Sequence, residues 1–333
     1  MTDPSPTLVG QVVEDRYLVE TLLGRGAMGT VYRARHMKVG REVAIKVMHE
    51  ELTRDPKMVA RFEREAALAA RLTHKNLVAV LDVGETPYGQ QFMVLELARG
   101  ETLAAALANG PLRPARVIAL VKQLLQGLDH AHRAGLVHRD LKPENVVLER
   151  DDHGDEVPRI LDFGIAVLRE RDDTAAGQRL TDAGSVLGTP PYMAPEQAFG
   201  DAPDPRTDLF ALGVMTYELL CGRQPFSGTG VEIMLSNINH DPPPLAERAP
   251  GVVVEPALEA FARKLMARTL RDRFASAHDA LAALAAIRLD DTGPRRALQT
   301  TRRPREVMPA LTRPNTEPTA TLAPSTADAD DDE

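Results

Sequence analysis

Tryptophan is absent, cysteine occurs once, and aromatic residues make up only 4% of the 333-residue chain. Each scarcity excludes something. A core drawn from this composition must be mostly Leu, Val, Ile and Ala. With Cys221 as the single thiol, no intrachain disulfide and no cysteine-based zinc site can form. No stretch approaches the ~18 apolar residues needed to cross a bilayer as a helix. The opening residues, MTDPSPTLVGQVVEDRY, lack the basic start and apolar run of a secretory signal. Lys and Arg number 40 against 48 Asp and Glu, and the resulting charge of −8 gives no support to a nucleic-acid binder. A soluble chain in a reducing, cytoplasmic setting is the expectation.

What is present is a normal globular share of hydrophobic residues, 43%, in a length that suits one two-lobed unit or two domains. Residues 1–15 are polar and proline-containing and read as a leader. From Tyr17 to Val47 the pattern is β, interrupted by a glycine cluster and a turn at Gly40. Asp55-Pro56 then supplies an N-cap and a first-turn proline, and Phe62, Ala66, Ala69 and Leu72 recur at helical spacing. Two strands follow, Leu77 to Val83 and Gln91 to Leu95. After Gly100 the pattern becomes helical: 114–134, a segment over 205–221 that is apolar nearly all round and suits a buried central helix, then 256–268 and 277–288. Residues 290–333 are rich in Thr, Pro and charge, too poor in aliphatics to offset the entropy of ordering, and read as a disordered tail.

Four short segments carry chemistry. In Gly24-Arg25-Gly26-Ala27-Met28-Gly29-Thr30-Val31 the glycines let the backbone approach phosphate oxygens. GxGxxG also opens dinucleotide-binding folds, but those need a helix directly after it, and Val31 to Arg35 continue as a strand. In Val43-Ala44-Ile45-Lys46, Ala44 and Lys46 share one strand face, so the lysine can reach toward the glycine lid. Glu65 falls on the apolar stripe of the 56–72 helix, where a carboxylate needs a partner; Lys46 is the expected one. His138-Arg139-Asp140-Leu141-Lys142-Pro143-Glu144-Asn145 offers a carboxylate for a hydroxyl proton (Asp140), a cation for a moving phosphoryl group (Lys142) and a neutral oxygen for a metal (Asn145). Asp162-Phe163-Gly164 ends a strand with a carboxylate suited to Mg²⁺.

These motifs, in this order, resemble the protein-kinase family, most closely the bacterial eukaryotic-like Ser/Thr kinases, over roughly residues 15–288. The resemblance implies an α+β fold with a small β-rich N-lobe (about 16–97) and a larger, mostly helical C-lobe (about 98–289). It implies ATP as substrate and Mg²⁺, or Mn²⁺, as metal. Gly24, Gly26 and Gly29 would form the phosphate lid beside Leu23. Val31 and Ala44 would pack on adenine. Lys46 would hold the α/β-phosphates and pair with Glu65 in the active state. Leu95 would be the gatekeeper, Glu96 and Leu97 the hinge, and Glu101 a ribose contact. Asp140 would be the catalytic base, Lys142 the phosphate-facing cation, and Asn145 and Asp162 the metal ligands. The resemblance also implies that Glu196 pairs with Arg273. Asp208 would accept backbone N–H groups from the His138-Arg139 turn.

Lys142-Pro143-Glu144 and Gly188-Thr189-Pro190 resemble Ser/Thr rather than tyrosine kinases, with Thr189 expected to touch Asp140 and Lys142. Arg139 beside the catalytic Asp suggests ordering by a phosphate on the activation segment, with Thr181 first, then Ser185 and Thr174, as candidates. Tail threonines could dock phosphothreonine-reading partners, and the N-lobe could pair two copies of the chain. Protein substrates bearing Ser or Thr are the expected partners. A pseudokinase scaffold and a small-molecule kinase are the alternatives. Lys46, Asp140 and Asp162 speak against the first, the 188–196 platform against the second. A soluble kinase and a fragment of a longer, membrane-anchored one both fit. His36, His49, His74, His130 and His132 show no metal-ligand spacing and read as structural or surface residues.

Overall fold

An antiparallel sheet opens the computed structural model, which describes residues 8–26, 28–162 and 189–289. Its strands are β1 (Val12–Val13), β2 (Tyr17–Arg25), β3 (Gly29–His36), β4 (Glu42–Met48), β5 (Val80–Glu85) and β6 (Gln91–Glu96), in the order β1-β2-β3-β4-β6-β5. One face of the sheet buries Val19, Ala34, Val43, Ile45, Phe92 and Val94. On the other face Ala44, Met93 and Leu95 pack against Met58, Phe62 and Ala66. Those three come from α2 (Pro56–Ala69), whose N-cap Asp55 accepts a hydrogen bond from the Lys57 N–H. A short α1 (Glu50–Thr53) leads into it.

Residues 8–15 are not a free leader. Val12 and Val13 pair with Leu18 and Tyr17, and Leu8 and Val13 are buried. The hairpin turn holds Glu14 and Asp15 at positive φ, 46° and 52°. Polar contacts with β5 offset that strain: Arg16 pairs with Asp82 at 2.7 Å, and the Glu85 N–H donates to the Glu14 carboxylate. A polar, proline-containing stretch conceals such a clasp, because its partners lie about seventy residues away in sequence.

The second lobe is built on α4 (Pro114–Arg133) and α6 (Arg206–Cys221). The stripe Val117, Leu120, Val121, Leu124, Leu128 and Ala131 is fully buried, as its spacing predicts. Nearly every side chain of α6 is buried. Around these pack α3 (Leu103–Leu107), α5 (Pro195–Phe199), α7 (Gly230–Asn239), α8 (Leu245–Arg248), α9 (Pro256–Leu265) and α10 (Ala277–Ala286). Gly213 lets α6 approach α9, since a Cβ there would stand 2.7 Å from that of Leu265. A small sheet, β7 (Glu101–Thr102), β8 (Val146–Arg150) and β9 (Glu156–Ile160), faces the first lobe. The α3 and α7 helices escape the sequence reading. The first is short and alanine-rich; the second begins at a glycine, though Thr229 and Glu232 form a capping box ahead of it. Among the described residues no helix is long and apolar enough to cross a membrane.

Candidate active site

The described residues of the four motifs converge between the lobes. The segment after α2 grips β9: the Ile160 N–H donates to the Asn76 carbonyl (2.9 Å), and Asn76 Nδ2 to that of Pro158 (2.9 Å). The strand that delivers Asp162 is thereby fixed against the first lobe. The Leu161 N–H then donates to the Asn145 carbonyl (2.9 Å), setting Asp162 beside the loop that follows α4. His138, fully buried, holds the same strand end: its Nε2 lies 2.7 Å from the Leu161 carbonyl, and its Nδ1 accepts from the Asp140 N–H.

Asp140 sits at the centre of a hydrogen-bonded group. Lys142 Nζ donates to Asp140 Oδ2 (2.7 Å) and to Thr189 Oγ1 (2.8 Å); Thr189 donates to Asp140 Oδ1 (3.1 Å). Asn145 Nδ2 donates to the Asp140 carbonyl (2.7 Å) and reaches Oδ2 at 3.3 Å, which leaves the Asn145 side-chain oxygen free of this group. Thr189 thus comes within reach of both residues named for it from the sequence.

The loop is braced from below. Asp208, fully buried in the first turn of α6, accepts the N–H groups of His138 and Arg139 at 2.8 Å each and lies 2.8 Å from His132 Nε2. Burial alone would raise its pKa. The His132 and His138 hydrogen bonds and charges outweigh that and hold it below the ordinary carboxylate value. Arg139 takes a left-handed conformation, φ 65°, and its carbonyl accepts from Gln197. Glu196 and Arg273 meet in a buried bidentate pair, 2.5 and 2.7 Å, with Thr207 also donating to the carboxylate.

On the first-lobe side, strand register places Ala44 opposite Leu95 and Lys46 opposite Val31 and Met93. Val31, Ala44, Leu95 and Leu97 fall in one apolar cluster; Leu23, 51% exposed, stands outside it. Glu101 is exposed on β7, paired with Leu148. Gly24 and Gly26 bracket the end of β2, and Gly29 begins β3 against Met48. The Glu96 side chain turns outward to Arg159 and Arg41. Arg159 also bonds Glu149 and the Leu77 carbonyl, and Arg99 bonds Glu42 at 2.6 Å. These arginines, which the sequence reading passed over, tie the lobes together beside Glu96 and Leu97. Nothing local marks them, because their carboxylate partners come from other strands.

One expected pairing is not made. Lys46 binds Asp162 Oδ2 at 3.0 Å, not Glu65. Asp162 is in the left-handed region, φ 56°, with its carboxylate against the lysine. Glu65 is 6% exposed, and its Oε2 has no hydrogen-bond partner among the described residues. Burial pushes its pKa up to about 7 despite the pull of Arg139, Arg64 and Arg61. Thr174, Thr181 and Ser185 lie outside the described residues.

Comparison with known proteins agrees with this geometry. The protein kinase domain family model matches residues 17–283. Serine/threonine-protein kinase Pkn3 of Myxococcus xanthus is 40% identical over 302 residues, covering 89% of this chain and 55% of that protein. PknB of Mycolicibacterium smegmatis is 38% identical over 272 residues, covering 80% of this chain and 42% of that protein. The crystal structure of the Mycobacterium tuberculosis PknI kinase domain superposes with a TM-score of 0.63 at 28% identity, covering 84% of this chain and 99% of that one. The chain spans about half, or less, of the length of the curated relatives it matches. A two-lobed fold, with the glycine lid, Lys46, Asp140, Asn145 and Asp162 gathered between the lobes, has one reading: the chain belongs to the protein kinase domain family.

Proposed function

We propose that this chain is a Ser/Thr protein kinase that transfers the γ-phosphoryl group of ATP to Ser or Thr hydroxyls of proteins. The observation that carries the proposal is the Asp140–Lys142–Thr189–Asn145 group. It holds a base, a cation and a hydroxyl-bearing platform residue within hydrogen-bond distance of one another. Phosphoryl transfer asks for positioning and charge neutralisation more than for covalent chemistry.

Asp140 accepts the proton of the substrate hydroxyl as its oxygen bonds to the γ-phosphorus and the bond to ADP breaks. Lys142, already aimed at Asp140, neutralises charge on the moving group. Lys46 and the backbone of the glycine lid bind the remaining phosphates. Val31, Ala44, Leu95 and Leu97 supply an apolar seat for adenine, and the Glu96 and Leu97 backbone meets its polar edge. The side-chain oxygens of Asn145 and Asp162 suit Mg²⁺, a hard cation that takes oxygen ligands and leans on substrate phosphates for the rest. Bound there, the metal supplies charge neutralisation on the phosphates.

The Lys46–Asp162 pair is a resting arrangement in this reading. Turnover requires Asp162 to be released and Glu65 to take the lysine. Thr181, then Ser185 and Thr174, are the proposed autophosphorylation sites, with Arg139 as the phosphate's partner. The single cysteine is buried and free, which suits a reducing cytoplasm.

The test is incubation of purified protein with labelled ATP and a generic basic protein, for wild type and Asp140→Asn. Loss of the base lowers transfer by about 100- to 10,000-fold while nucleotide binding persists. Undiminished turnover in the variant refutes the mechanism, and ATP binding without any turnover by wild type favours a scaffold.

A further inference from the structure

The tip of the glycine lid is tied down by a residue that the reaction itself does not call for. His49 follows β4 directly, three residues after Lys46. Its Nε2 lies 2.8 Å from the Gly26 carbonyl, and its own N–H donates to the Met28 carbonyl at 3.0 Å. A Gly26 N–H to Gly29 carbonyl bond, 2.9 Å, closes the hairpin between them. Both bonds therefore land on tip carbonyls, Gly26 and Met28, and both come from the residue that directly follows the neighbouring strand.

The consequences follow from peptide geometry. In a trans peptide the N–H lies opposite the C=O. Tying the Met28 carbonyl to His49 turns the next N–H, that of Gly29, to the other side of the tip. A lid that must offer N–H groups to phosphate oxygens needs its carbonyls drawn away from them, and His49 draws them. His49 also starts α1: its carbonyl accepts from the N–H groups of Leu52 and Thr53 and from Thr53 Oγ1 at 3.1 Å. One residue thus joins the lid, the strand of Lys46 and the segment leading to the Glu65 helix.

We propose that His49 is a positioning residue for the nucleotide, holding the lid tip in a phosphate-ready form through the Gly26 carbonyl. The proposal rests on the phosphoryl-transfer reading above. To donate, Nε2 must carry a proton. The Nε2–H tautomer meets that need, since the Gly26 carbonyl can only accept. A lid released from it has to be ordered by the nucleotide, which appears as weaker ATP binding and not as a slower chemical step.

The experiment compares wild type with His49→Phe, His49→Asn and His49→Gln. Binding of a fluorescent ATP analogue with Mg²⁺ is measured in the Asp140→Asn background, and steady-state kinetics in the active one. Phe removes the donor, and Asn is too short to reach Gly26. Gln presents an N–H at about the reach of Nε2. The expected result is a rise in Kd and in KM for ATP of about three- to tenfold for Phe and Asn, the scale of one hydrogen bond. The kcat stays within about twofold, and Gln restores the affinity. A residue that only starts α1 would not give that split or that rescue. Unchanged Kd in Phe or Asn, or Gln as weak as Asn, overturns the clamp while leaving the kinase reading intact. Failure of the wild-type protein to bind ATP overturns both. Should the Phe variant fail to fold, the Asn–Gln comparison decides.

Discussion

Replacing Glu65 by Gln should make the protein more stable above neutral pH and less active. In the folded state the carboxyl titrates at about 7 against an ordinary value of 4.5. Between those two values the folded protein holds a proton that the unfolded chain has released. Stability therefore falls as pH rises through that window and levels off above it. At 1.36 kcal/mol per pH unit, the whole displacement is about 3 kcal/mol of instability at pH 8. The amide has the same shape and no charge to bury, so it escapes this cost. For a domain of this size the difference is about 6–12 °C in melting temperature. Thermal melts of wild type and variant from pH 5 to 8.5 test it. The two curves should differ least at pH 5, separate toward pH 7 and change little in separation beyond it, with the variant higher. On the proposed mechanism phosphoryl transfer moves the other way, because the amide cannot form the ion pair with Lys46 that this mechanism assigns to turnover. Parallel melting curves, or a variant less stable at pH 8, would refute the reasoning.

Two further outcomes follow from the geometry. Arg273 is fully buried against Glu196, so Arg273→Met alone should cost about 3–5 kcal/mol by stranding a buried carboxylate. Adding Glu196→Leu should recover part of that loss in denaturant midpoints, and costs that simply add would contradict a coupled pair. A Cβ at Gly29 would lie 2.2 Å from the Val47 carbonyl oxygen, whereas one at Gly24 meets nothing within 4 Å. Gly29→Ala should therefore lose about 1–3 kcal/mol of stability and shift the lid. Gly24→Ala should fold like wild type; equal melting temperatures for the two would dismiss the distinction.

Much of this protein was legible along the chain because the relevant physics is local. The spacing of Val117, Leu120, Val121, Leu124 and Leu128 defines a buried helical stripe. Asp55-Pro56 marks where α2 begins. The strand that continues after Gly29 separates a hairpin lid from a dinucleotide turn. The order of the motifs points to the family, and with it to Asp140, Lys142 and Asn145 sharing one loop. Periodicity also placed Glu65 on the inward face, which is correct.

What faces Glu65 was not legible. An ion pair depends on the distance between elements that the sequence keeps far apart, and helical phase constrains only the direction in which a side chain leaves its own axis. The structure assigns Lys46 to Asp162 and leaves the glutamate beside Arg139. The docking of residues 8–16 on β5, the Arg99 and Arg159 ties between the lobes, and the His49 contact with the lid have the same origin. Sequence alone determined which chemical groups this protein carries and, where the periodicity is strong, on which face of a strand or helix they stand. Tertiary packing decided which of them meet, because hydrogen bonds and ion pairs act over about 3 Å and only the folded chain brings such partners that close.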